Sequence, residues 1–295
     1  MEVTFAVAGE LQTTSGAGGA RHATRFESSG SALQISRDSG VPLTISALPT
    51  GSCGMRTQGM LPARRPLVVE IAGPAGAGKT TVLHSLKYRS RKVSSVALPR
   101  FRSVEGLPFF AEHGLLLLPT LLRLAMQNGR GLTRHEISSM ITLNGWHRLC
   151  RRDAAGNGSV RLLDQASVFM MAELHEFGPE SLRSPGAQKW WNRVYRQWAA
   201  TLDLVIWLDA SDTILRDRIR SRRRWHVMKD KPADEVFDFL ARYRRAYEQA
   251  ISALKADNPG LRVLRIDTGD KTVAQVVERL TFDLGLQSND PEPVL

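Results

Sequence analysis

Residues Gly73-Pro74-Ala75-Gly76-Ala77-Gly78-Lys79-Thr80 set glycines at the first, fourth and sixth places of an eight-residue stretch that ends in Lys-Thr. An apolar strand pattern precedes it and a helical pattern, Thr81 to Lys87, follows. Glycines there leave the backbone free to wrap an anion, because no side chain blocks its N–H groups. The helix start adds its open amides and the positive end of its dipole. Lys79 supplies a point charge suited to β- and γ-phosphates, and the Thr80 hydroxyl is placed to complete a Mg²⁺ shell. The chemistry expected is therefore binding of Mg-ATP through Gly73, Pro74, Ala75, Gly76, Ala77, Gly78, Lys79, Thr80 and Thr81.

Three further segments carry charge suited to the same ligand. Leu204-Val205-Ile206-Trp207-Leu208-Asp209 is a strand pattern, followed by a run in which Arg216, Arg218, Arg220, Arg222, Arg223 and Arg224 fall within nine positions. Guanidinium groups on a closing segment stabilise a phosphoryl group in transit and exclude water. On one continuous helix Arg216, Arg220 and Arg223 or Arg224 would share a side, and Arg218 and Arg222 another, so some are spectators. Arg161-Leu162-Leu163-Asp164-Gln165-Ala166 ends a strand pattern in an acid. At the carboxyl edge of an open sheet such an acid orients a Mg²⁺ shell or an acceptor; capping the next helix is the competing structural role. Val96-Ala97-Leu98-Pro99-Arg100 ends a strand pattern in Arg.

With the glycine-rich stretch, these segments make residues 66–285 resemble the thymidylate kinase and deoxynucleoside kinase group of P-loop kinases. The resemblance implies ATP as phosphoryl donor, Mg²⁺ as cofactor, and a nucleotide, nucleoside or other small hydroxylated molecule as acceptor. It implies catalytic roles for Lys79, Asp164, Arg220 and Arg222, with Thr80 and Asp164 at the metal and Arg100 and Arg102 at the acceptor. Glu105 stands where nucleoside kinases carry a general base for a sugar hydroxyl. The chain departs from the group at Gln165, where an Arg usually follows the acid, and lacks the Glu-Pro-Gly-Gly of thymidylate kinases after the second strand. Asp267-Thr268-Gly269-Asp270 resembles the turn beside the donor base; an ordinary turn with Thr268 or Asp270 capping the last helix is the alternative. The glycine-rich motif alone is shared with hydrolases, so two other classes stay open. One is a regulatory ATPase or GTPase acting on a macromolecule, the other a non-enzymatic module that binds RNA or anionic lipid.

The elements that must position these groups alternate. Strand-length apolar runs at Leu67 to Ala72, Val93 to Leu98, Val160 to Leu163, Leu204 to Leu208 and Val263 to Ile266 are separated by helical patterns. That alternation predicts an α/β fold, a three-layer αβα sandwich around a five-stranded parallel sheet, with an Arg-rich lid at about 216–231. Asp234 to Lys255 is the clearest helix, with apolar residues every three or four positions. The insertion 106–145 is expected to be helical and to face the acceptor. Trp190, Trp191, Trp198 and Phe177 suit helix packing, and His135-Glu136 and His175-Glu176 lack the second His of a zinc helix.

Composition bounds the remainder. Residues 1–65 hold six Arg and four acids, so +9 of the net +11 falls on residues 66–295, much of it in the Arg run. A local cluster suits bound phosphate better than a nucleic-acid backbone, and nucleic acid is not an expected partner. Cys53 and Cys150 support neither a disulfide framework nor a zinc site, which fits a reducing cytoplasm. Gly114 to Met126, broken by Pro119 and Arg123, falls short of the ~20 residues of a bilayer crossing, so no membrane partner is expected. A homodimer is compatible with this chemistry. Residues 1–65, rich in Gly, Ser, Thr and Ala, are expected to be mostly disordered, and 286–295 a flexible tail. Translation from Met55 or Met60 is a further expectation, which native peptides from residues 1–50 would exclude.

Overall fold

The computed structural model describes residues 65–96, 98, 106–127, 129–151 and 159–286. Arg100, Arg102, Glu105 and the N-terminal 64 residues lie outside the described residues, as does the tail beyond Leu286.

Strands β1 (Leu67–Ala72), β2 (Val93–Ser95), β3 (Val160–Asp164), β4 (Leu204–Asp209) and β5 (Arg262–Asp267) form one parallel sheet in the order β2-β3-β1-β4-β5. Central β1 is buried from Val68 onward. Its near-continuous apolar sequence is what a strand covered on both faces requires. β2 stops at Ser95 instead of reaching Leu98: it pairs with β3 alone, and its Ser94 and Ser95 face solvent. Ile71 lies opposite Asp164, Ala72 opposite Trp207 and Asp209 opposite Asp267. Three strands thus end in an aspartate at the edge where the chain leaves β1.

Helices α1 (Lys79–Arg89) and α8 (Val273–Asp283) pack together on one side of the sheet, and α4 (Ser167–Phe177) and α7 (Ala233–Asp257) on the other. In α7, Val236, Leu240, Tyr243, Tyr247, Ala250 and Leu254 are all buried, as their spacing predicts. The expected α/β sandwich is the architecture observed. Helices α2 (Gly106–Ala125), α3 (Arg134–Arg151) and α5 (Pro185–Ala199) make the helical insertion and its support. Buried Trp198 donates its indole N–H to Leu143 O at 2.9 Å, so this aromatic ties α5 to α3.

Two elements differ from their sequence patterns. Helix α2 begins at Gly106, eight residues before the apolar run, and at 20 residues it meets the length and composition of a membrane span. It buries Phe110, His113, Leu117 and Leu124 while Leu107, Leu115, Leu116, Leu118 and Leu122 stay exposed. Helix α6 (Asp212–Arg220) stops at Arg220, with Ser221 as its C-cap. Arg222, Arg223 and Arg224 therefore leave the helix, and the pairing of their faces with Arg216, Arg218 and Arg220 does not hold.

Candidate phosphate and metal site

The turn between β1 and α1 takes a shape that only glycine adopts without strain. Gly73, Gly76 and Gly78 have φ of 140°, 89° and 87°. A Cβ on Gly73 would stand 2.0 Å from the Leu208 carbonyl oxygen, and one on Gly76 2.9 Å from that of Leu215. The turn is thus wedged against the end of β4 and against α6. Gly78 caps α1 without a side-chain bond, which leaves the first amides of the helix open to an anion.

Lys79 is buried, and its Nζ donates to Gly73 O at 2.8 Å and Pro74 O at 2.9 Å. Burial pushes the ammonium down to about 8; Asp164 opposes the fall, Arg222 adds to it and Asp209 opposes it. The cation is folded back onto its own turn. An incoming phosphate would take over from two carbonyl oxygens.

Thr80 and Asp164 are brought together across 84 positions: Thr80 Oγ1 donates to Asp164 Oδ2 at 3.0 Å. Asp164 Oδ1 is buried and has no partner. Asp209 is differently placed, because Arg244 grips it with Nε at 2.8 Å and Nη2 at 3.0 Å and the Ala210 N–H donates at 2.8 Å. Asp267 accepts from Gly269 N–H within its own turn. Of the three strand-end acids, Asp164 is the one with a buried oxygen unused. No group of three or more His, Cys, Asp or Glu among the described residues encloses a metal. A hydroxyl and one carboxylate fit Mg²⁺, which keeps waters and takes phosphate oxygens instead of an all-protein cage.

Capping of α4 by Asp164 is not observed. That helix is capped from the central strand: buried Glu70 accepts the Ser167 hydroxyl at 2.6 Å and the Val168 N–H at 2.9 Å. Burial pushes the Glu70 carboxyl up to about 7, against hydrogen bonds from Ser167 and the backbone of Val168, Phe169 and Ala166. Between Asp164 and this cap, Gln165 has φ 47°, the one positive-φ non-glycine residue among the described residues. Sequence reasoning missed Glu70; its signal is a lone carboxylate inside an apolar strand.

Arg222 lines a cavity of about 280 Å³ with Gly76, Gly78, Arg218, Thr268 and Lys271. Arg220 instead reaches Lys231 O at 3.5 Å, and Arg216 pairs with Asp217. Arg218 is locked on Thr268, donating to Oγ1 at 3.0 Å and to O at 2.7 Å. Neither Thr268 nor Asp270 caps the last helix: Thr272 does so, in a capping box with Gln275. His135 pairs with Glu173 at 3.1 Å and Glu136 with Arg130 at 2.6 Å, so both acids serve packing.

No protein-family model and no curated protein sequence matches the chain. Among solved structures it is similar to thymidylate kinase from Candida albicans, with a TM-score of 0.45 and 16% identity over 75% of this chain and 92% of that one. It is also similar to deoxyadenosine kinase from M. mycoides with bound dCTP, at a TM-score of 0.43 and 15% identity over 74% of this chain and 99% of that one. The same kinase with bound dATP gives 0.44 and 16%, over 74% and 100%.

Proposed function

We propose that the chain transfers a phosphoryl group from Mg-ATP to a nucleotide, a nucleoside or another small hydroxylated acceptor. The observation that supports this best is the Thr80–Asp164 pair, which sets a hydroxyl and an unsatisfied buried carboxylate oxygen beside a glycine turn and an open helix start. Thr80 and Asp164 would hold Mg²⁺, which when bound would supply charge neutralisation for the phosphates. Lys79 would trade its two carbonyl bonds for phosphate oxygens. Arg222 would face the group in transfer, and Arg220 would join it once freed from Lys231 O. The cavity bounded by Arg218, Thr268 and Lys271 would take the donor base. Arg100, Arg102 and Glu105 are assigned to the acceptor side, and the cytoplasm is the compartment this chemistry suits.

The test is a coupled assay of ADP release with Mg²⁺ against nucleosides, nucleoside monophosphates and small hydroxylated metabolites, with Lys79→Ala as control. Release stimulated by one acceptor class and lost in the variant is the expected result. Hydrolysis at the same rate with and without every acceptor would replace the kinase by a hydrolase.

A further inference from the structure

The first turn of a helix leaves amides without partners, and a side chain at or just before its start ordinarily takes them. At α4 no local residue does so. Ala166 stands at the N-cap, and no side chain there accepts a bond. Asp164, two residues earlier, is the nearest acid in the chain, yet it turns to Thr80. The amides go instead to Glu70 of β1, 98 positions upstream of Val168. Its carboxyl accepts the Val168 N–H at 2.9 Å, the Phe169 N–H at 3.4 Å and the Ser167 hydroxyl at 2.6 Å.

This cap bears on Asp164 through a very short link. Asp164 is fixed from one side by its place opposite Ile71 in the sheet, one register step beyond the pairing of Glu70 with Leu163. From the other side the start of α4 is fixed by Glu70. Only Gln165 and Ala166 lie between, and Gln165 is forced to φ 47°. A residue with a Cβ holds that conformation against a free-energy cost, and it persists only where the surroundings dictate it. Here the dictating contacts are the β1–β3 pairing and the Glu70 bonds. The corner they impose sets Asp164 Oδ2 3.0 Å from Thr80 Oγ1 and leaves Oδ1 buried and unpartnered. Were Asp164 itself the cap, its oxygens would be spent on amides and none would remain for a cation.

We propose that Glu70 is a positioning residue of the metal site: by capping α4 from the central strand it holds the Gln165 corner and frees Asp164 for the divalent cation. The role rests on Thr80 and Asp164 being the cation site of the proposed function. Glu70 lies three residues before Gly73, so one strand carries both the phosphate turn and the support of the carboxylate that would accompany it.

The test is calorimetric binding of the non-hydrolysable β,γ-imido analogue of ATP, titrated with Mg²⁺ and repeated in EDTA. Glu70→Gln keeps an acceptor for Val168 and reverses the Ser167 bond, so Mg²⁺ affinity should stay close to wild type. Glu70→Leu keeps the bulk and removes the cap. It should lower Mg²⁺ affinity about 10- to 100-fold, the range for an outer partner of a metal ligand, with affinity in EDTA unchanged. In an Asp164→Asn background the Leu substitution should cost no further Mg²⁺ affinity, because no carboxylate is left to aim. A Leu variant with wild-type Mg²⁺ affinity, an equal loss in EDTA, or an undiminished loss in the Asn background overturns the role. If Glu70→Leu does not unfold cooperatively, Ser167→Ala takes its place. It removes one bond of the cap and should lower Mg²⁺ affinity about threefold to tenfold, the range of one ordinary hydrogen bond; no loss overturns the role equally. Wild-type binding that ignores Mg²⁺ removes the cation site of the proposed function itself, a failure distinct from these.

Discussion

Replacing Glu70 by Gln separates the charge of this buried carboxyl from its hydrogen bonds. The amide can donate to Ser167 and accept from Val168 in the places the carboxyl oxygens now occupy. The carboxyl is pushed from an ordinary 4.5 to about 7 by burial. Its folded value is thus raised, so the stability it contributes is fully present below 4.5 and is lost as pH rises through about 7. Each pH unit of that gap corresponds to about 1.4 kcal/mol, an order-of-magnitude conversion. Gln has no proton to release. The advantage of Glu70→Gln over wild type should therefore grow by about 2.5 kcal/mol from pH 5 to pH 8, and stay level above pH 8. Urea unfolding at half-unit pH steps measures it, and thermal midpoints should diverge by roughly 5–10 °C for a domain of this size. A difference between the two proteins that is the same at every pH would refute the argument. It would mean that the carboxyl ionises without cost and that only its shape matters.

Other perturbations probe the site more directly. Gly73→Ala places a Cβ 2.0 Å from the Leu208 carbonyl oxygen at a φ of 140°, so chemical denaturation should report a loss of at least about 3 kcal/mol. Asp164→Asn keeps the Thr80 bond and removes the charge. Nucleotide affinity in excess Mg²⁺ should fall about 10- to 100-fold, with little change in EDTA; equal losses in both would deny Asp164 a metal. Thr272→Ala removes the capping box of α8 and should cost about 1 kcal/mol of stability without changing nucleotide affinity.

What sequence could reveal followed from how local each signal is. The glycine turn was legible because its geometry is set by residues 73–80 themselves, and β1, β3 and β4 because their apolar runs match strands covered on both faces. The acid at the end of β3 was visible, but its alternative as a cap could be discarded only once Glu70 was seen to hold the amides of α4. Glu70 and Ser167 are 97 positions apart, and nothing in the local pattern of either announces the other. The end of α6 was hidden for the opposite reason. Arginines on both sides of Arg220 supply no glycine or proline stop, so periodicity runs on past Ser221, where the helix in fact ends. Arg218 shared a predicted face with Arg222, yet only the Thr268 contact gives it a place at the cavity.

The same logic of partners separates the three aspartates that end strands at the edge of the glycine turn. Asp209 spends both oxygens on Arg244, whose Nη1 also holds Asp212, so one guanidinium from α7 is shared between two carboxylates. Asp267 spends one oxygen on a backbone amide of its own turn. Asp164 alone among them keeps a buried oxygen without a partner, and a hydroxyl from α1 already marks its other side. Around that carboxylate stand Lys79, Arg218 and Arg222. Three cations beside one unpartnered carboxylate oxygen is the arrangement that the proposed Mg²⁺-nucleotide would use. Sequence composition counts all three aspartates alike; their partners, a guanidinium for Asp209, a backbone amide for Asp267 and a hydroxyl for Asp164, distinguish them.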